Sequence, residues 1–167
     1  MSGANSLRFR LPDPYLLRHC VVAEEIDEYR HVNNSVYLRW LDTVAWRHSA
    51  ALGLSRERCL ELRRGMAVRH TRIDYLQAAV EGDALCIGTW IVASDGRLRC
   101  RRRFEVLREP DALRILEAEI DYVCLNLDTG RPSRFPPEFT LCYSVPNGLA
   151  AALAALPAGD PIGFERG

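Results

Sequence analysis

One segment constrains the rest of this chain. Between residues 35 and 52, apolar side chains recur a turn apart as Val36/Tyr37, Trp40/Leu41, Val44/Ala45 and Ala51/Leu52. That is the spacing of a single apolar stripe on an amphipathic helix. Arg39, Asp42, Thr43 and Arg47 fill the other side, and Gly53 supplies a stop. The flanking sequence has a strand character instead: 18–25, 66–76, 85–93, 98–107 and 115–127 each predict an extended segment. Asp95-Gly96 is a hairpin turn signal, and Glu109-Pro110-Asp111 joins the last two strands. One long helix and five mostly antiparallel strands leave one apolar sheet face to cover. The helix is the available filler, so the sheet has to wrap around it. The expectation is a single α+β domain over residues 1–167, with its core at about 18–143. In the tail, 144–167, the Ala-rich stretch 148–156 reads as a short helix ended by Pro157; 55–65 reads as a polar connection.

Charge and composition exclude several function classes. The 22 basic and 22 acidic side chains cancel, so nothing global attracts nucleic acid or an anionic membrane. No apolar run reaches the roughly 18 to 20 residues a spanning helix needs, and residues 1–15 lack the apolar core of a secretory signal. Six cysteines, with no CxxC and no clustered histidines, do not make a zinc site. Buried free thiols in a reducing cytoplasm are expected, with no metal.

The densest polar stretch is IDEYRHVNNSVY, residues 26–37, where the chain passes from strand to helix. The first turn of a helix presents unpaired N–H groups and about half a positive charge. With Asn34 or Ser35 as cap, the amides at 34–36 face the preceding loop. Asp27, seven residues before Asn34, ends the incoming strand and can face the same point. A carbonyl lodged there meets backbone donors that need no reorganisation.

Residues 27–40, DEYRHVNNSVYLRW, resemble the aspartate-loop-helix motif of the 4-hydroxybenzoyl-CoA thioesterase-like family of hotdog acyl-CoA thioesterases. Residues 72–83, RIDYLQAAVEGD, are similar to that family's strand and Gly-Asp turn; 124–132, CLNLDTGRP, look like its closing strand. The resemblance implies a hotdog fold, a five-stranded antiparallel sheet around one central helix, and hydrolysis of an acyl-CoA without cofactor or metal. It implies Asp27 as nucleophile or general base and the Asn34 amide as the group polarising the thioester carbonyl. His31 then supports the loop: a related branch carries Asp-x-Asn-x-His, and here Tyr29 stands where its Asn would be. Asn33 braces the loop, while Ser35 and Tyr37 lie along the substrate path. Family members form dimers or tetramers with sites at subunit interfaces, so a homodimer or homotetramer is expected. His70 and Arg72 on the second strand are then candidates for reaching a partner's site. Another branch carries its acid on the helix; Asp42 is the one acid there and reads as a surface or interface residue. An acyl-thioester hydratase or dehydratase and a non-enzymatic acyl-CoA binding module are the alternatives.

Alternation also organises the arginines. Arg97, Arg99, Arg101 and Arg103 share one strand face with Glu105, and Glu117, Glu119 and Asp121 share a face of the next strand. Cross-strand ion pairs on a solvent or interface face are expected.

Overall fold

The computed structural model describes residues 7–156. Strand β1 (Tyr15–Cys20) leads through a 3-10 turn (Ala23–Glu25) and a short loop into α1 (Asn34–Ala51). Then follow α2 (Arg56–Glu61), β2 (Arg64–Tyr75), β3 (Ala84–Ser94), β4 (Arg99–Arg108), β5 (Arg114–Asn126), α3 (Pro137–Cys142) and α4 (Asn147–Ala154). The strands form one sheet in the order β1-β3-β4-β5-β2, every ladder antiparallel. The apolar stripe of α1 packs on one face of this sheet. Val36, Leu41 and Val44 meet Leu85, Ile87, Phe104, Val106 and Leu116 in a single buried cluster. The α+β expectation therefore holds, with α1 within one residue of its predicted span.

Three local expectations are corrected. The strand foreseen at 18–25 ends at Cys20, and residues 23–25 curl into a 3-10 turn. The curl brings the Glu25 carboxylate back to the Val22 amide, 3.1 Å away. The polar connection at 55–65 contains α2, capped by the Ser55 hydroxyl, which accepts from the Arg58 amide at 3.1 Å. Helix α3, with Pro137 in its first turn, was not foreseen. The tail helix is present as Asn147–Ala154, while Pro157 lies outside the described residues.

The second sheet face is not left to solvent. Trp90 and Val92 of β3 are covered by Leu11 and by Leu149 and Leu153 of α4. At Gly88 the N-terminal segment lies so close that a Cβ would sit 2.8 Å from the Phe9 ring. The arginine row stands on this face and pairs as alternation requires: Arg101 with Asp121 at 2.5 Å and Arg103 with Glu119 at 2.7 Å. Arg114 pairs with Glu105, and Arg10 with Glu117 at 2.8 Å. The row is solvent-facing only at Arg97 and Arg99, which are exposed, whereas Arg101 and Arg103 are buried and Glu105 is 1% exposed. Arg102, between them, points the other way, toward α1.

Cys20 is exposed and the other five cysteines are buried, all as free thiols. Burial pushes the Cys100 thiol up to about 12. Among the described residues, no helix is long and apolar enough to cross a membrane, and no group of His, Cys, Asp or Glu could hold a metal.

Candidate active site

The polar stretch folds as a tight hairpin set against the start of α1. Ile26 and Val32 bridge; the Asp27 amide donates to the His31 carbonyl at 2.8 Å and the Arg30 amide to the Asp27 carbonyl at 2.9 Å. Arg30 turns the tip with φ +65°, a region costly for a residue with a Cβ. Val32 is buried and its amide donates to the Ala79 carbonyl at 2.9 Å, tying the hairpin to the segment after β2.

The helix cap is Asn33, one residue earlier than expected. Its Oδ1 accepts from the Ser35 amide at 2.9 Å and the Ser35 hydroxyl at 2.8 Å, as a capping side chain does. The Val36 amide donates to the Asn33 carbonyl at 2.9 Å. The Asn34 amide, first of the helix, has no acceptor among the described residues. It sits at the positive end of an 18-residue helix. Ser35 thus belongs to the cap, and Asn33 braces the helix as well as the loop.

Asp27 is half-buried; its Oδ1 accepts from the Tyr29 amide at 2.9 Å, and its Oδ2 has no partner among the described residues. His31 is exposed at the hairpin, and its imidazole makes no hydrogen bond to the Asp27 carboxylate. Tyr37 is buried and its hydroxyl accepts from the Ala79 amide at 3.2 Å. Its ring packs edge-on against Trp40 and Tyr75, so it is floor and core together. The Tyr75 hydroxyl reaches the Asn34 carbonyl at 3.4 Å. Asp83, from the second motif, holds the turn at Gly82 (φ +84°) by accepting from the Val80 amide at 3.0 Å.

His70 and Arg72 are not brought to this site. In the β2–β5 register they face Asp121 and Glu119, on the sheet side opposite α1. Arg72 pairs there with Asp74 at 3.2 Å.

A group beneath the hairpin was missed. Glu25 accepts from the Trp40 indole at 2.9 Å and from His19 Nε2 at 2.8 Å. Its backbone carbonyl accepts from the Asn33 amide at 2.9 Å. Burial pushes its carboxyl upward, but the bonds from His19, Trp40 and Val22 outweigh burial and hold it below the ordinary range. Glu25 therefore locks the hairpin to the first turns of α1. The signal was the inward alternation Tyr15, Leu17, His19 along β1, since a histidine on a buried face needs a partner.

Among curated proteins none matches this sequence. Solved structures share its fold. The 1,4-dihydroxy-2-naphthoyl-CoA thioesterase Slr0204 from Synechocystis is 17% identical, with a TM-score of 0.71 over 78% of this chain and 96% of its own. SAV2348 from Staphylococcus aureus, solved in complex with CoA, is 20% identical, with a TM-score of 0.73 over 83% and 93%. YbaW, a probable thioesterase from Escherichia coli, is 21% identical, with a TM-score of 0.66 over 78% and 99%. These likenesses identify the wrapped sheet as the hotdog fold. Residues 21–142, the hairpin, α1 and all but the first strand, match the Thioesterase-like superfamily, and the chain belongs to that family of thioester hydrolases.

Proposed function

We propose that this chain hydrolyses acyl-CoA thioesters to a free acid and coenzyme A at the N-terminus of α1. The observation that carries the reading is the unpaired Asn34 amide, at the positive helix end, beside a hairpin that holds the carboxylate of Asp27. A thioester carbonyl accepting from that amide is polarised, and the oxyanion formed on attack is stabilised by the same donor and the helix field. Asp27 acts as general base, taking a proton from the water whose oxygen bonds to the acyl carbon, or as the nucleophile, forming an acyl anhydride that water then hydrolyses to the free acid and the regenerated carboxylate. Collapse breaks the C–S bond and expels the coenzyme A thiolate, which takes up a proton. No metal or cofactor enters the scheme. CoA as the carrier is supported by the CoA bound to SAV2348 and by the activity named for Slr0204.

The working unit in this proposal is a homodimer or homotetramer. β2 is an edge strand of 12 residues, mostly exposed, with Val68 and Tyr75 open to solvent; an edge of this kind pairs unless protected. Its pairing with a second copy would place another subunit beside the site. The buried free thiols fit a cytoplasmic location.

The test is release of free thiol from a panel of short, long and aromatic acyl-CoAs in the presence of a chelator. Turnover of at least one is expected. Tight binding without thiol release favours the binding module, and water addition across an enoyl-CoA favours the hydratase. Light scattering that finds only monomer at micromolar concentration removes the shared site.

A further inference from the structure

Three consecutive arginines in β4 have different fates. Arg101 and Arg103 face the outer side and meet Asp121 and Glu119. Arg102 faces inward, is 2% exposed, and has no ion pair among the described residues. Its contacts are neutral. One guanidinium nitrogen meets His48 Nδ1 at 2.8 Å, another donates to the Ser49 hydroxyl at 2.8 Å, and the group lies 5.8 Å from the Tyr143 ring. Burial, and then the Arg102 charge, hold His48 down to about 4, so at neutral pH its Nδ1 is an acceptor and carries no charge. Of five guanidinium N–H groups, three remain without a partner. A buried charge with no counter-ion is costly, a cost its two neighbours in sequence avoid.

Arg102 is not sealed in packed core. It lines a cavity of about 60 Å³ between α1 and the sheet, together with Trp46, Ser49, Met66, Val68 and Tyr122. Burial keeps the Tyr122 phenol protonated, and its hydroxyl makes no hydrogen bond among the described residues. Asp42, the one acid on this lining, is exposed at the mouth and does not reach Arg102. At 1.5 Å per residue, His48 and Ser49, which hold Arg102, lie about 21 to 22 Å along α1 from Asn34, and the near end of the cavity at Asp42 about 12 Å.

We propose that this cavity is an anion subsite for the acyl group, Arg102 receiving a carboxylate at the acyl end remote from the thioester. The preferred substrates are then carboxyl-ended acyl-CoAs. This rests on the thioesterase reading above. A carboxylate here takes two parallel bonds from the guanidinium fork and a third from Tyr122, and supplies the charge that the fold leaves out. The separation along α1 sets this group apart from the reacting carbonyl, so it selects substrates and takes no part in the chemical step.

The experiment compares kcat/KM for methyl-ended and carboxyl-ended acyl-CoAs of matched length, from short to long, in wild type and Arg102→Met. The carboxyl-ended member should win by about tenfold or more at its best length, the scale of one charge-assisted hydrogen bond. Arg102→Met should erase that ratio, and Tyr122→Phe should reduce it. Methyl-ended preference at every length, or a ratio that survives Arg102→Met, overturns the proposal. If Arg102→Met does not fold, the wild-type ratio and Tyr122→Phe decide. If no acyl-CoA is hydrolysed, the thioesterase reading fails by itself. Calorimetry on wild type with carboxyl-ended and methyl-ended acyl-CoAs then tests the subsite alone: tighter binding of the carboxyl-ended member supports it and equal binding overturns it.

Discussion

Replacing Asp27 by Asn separates the chemical role of this residue from its structural one. The structure defines what the change leaves intact. Asp27 Oδ1 accepts one hydrogen bond, from the Tyr29 amide at 2.9 Å, and an asparagine Oδ1 accepts the same bond. The hairpin is otherwise closed by backbone, through the Asp27 amide to His31 and the Arg30 amide to the Asp27 carbonyl. The helix is capped by Asn33, not by Asp27. The loss in stability is then the difference between a charged and a neutral acceptor at a half-exposed turn, about 0.5 kcal/mol. In a domain of this size that moves Tm by about 1 to 2 °C. The loss in chemistry is larger, because an amide neither takes a proton from water nor attacks a thioester. A positioned acid–base group contributes roughly 10²- to 10⁴-fold, or about 2.7 to 5.4 kcal/mol on the barrier. The expected result is a fall of that size in kcat with KM nearly unchanged, measured by thiol release, and a melting curve close to wild type. His31→Gln, at an exposed residue whose side chain makes no bond to the Asp27 carboxylate, should cost much less. A stable Asp27→Asn enzyme with wild-type turnover would refute the reasoning, as would a stable but inactive His31→Gln.

Asn33→Ala removes the acceptor for both Ser35 donors and should lower stability by about 1 kcal/mol, seen as a Tm fall of a few degrees with reduced turnover from a frayed first turn; an unchanged Tm would show that the cap lies elsewhere. His48, held down to about 4 against an ordinary 6.5, makes the unfolded chain bind more protons between those values. Stability is therefore complete above about pH 6.5 and falls as pH drops toward 4, by at most on the order of 3 kcal/mol; denaturant melts across that window should show the slope in wild type and lose most of it in His48→Gln. Glu25→Gln weakens the acceptor shared by His19, Trp40 and Val22 and should cost about 1 to 3 kcal/mol. Its thermal midpoint should fall further than that of Asp27→Asn, and the reverse order would contradict the assignment of Glu25 as the lock.

The helix at 34–51 and the five strands, the first of them misplaced by several residues, were legible in the sequence because each is announced by spacing along the chain. The apolar stripe from Val36 to Ala45 repeats each helical turn, and the rows from Arg101 to Glu105 and from Glu117 to Asp121 repeat at period two. That the arginine row lies beside the acidic row follows from that period once the strands are neighbours, and the register then sets Arg101 opposite Asp121 and Arg103 opposite Glu119. The resemblance at 27–40 directed attention to Asp27 and Asn34. Other features had no such local announcement. Helix α3 has no long periodic run, and the covering of Trp90 and Val92 depends on segments that meet β3 from both ends of the chain. Whether Glu25 is a free surface acid or a half-buried lock depends on His19 and Trp40, which reach it from β1 and α1. Arg102 looks like its neighbours in sequence, yet α1 and the sheet enclose it with His48 and Ser49, far away along the chain. Spacing along the chain dictates which face a side chain takes, because backbone geometry is local. What lies opposite that face, and so whether a charge is paired or left facing a cavity, is decided only when distant segments pack and exclude water.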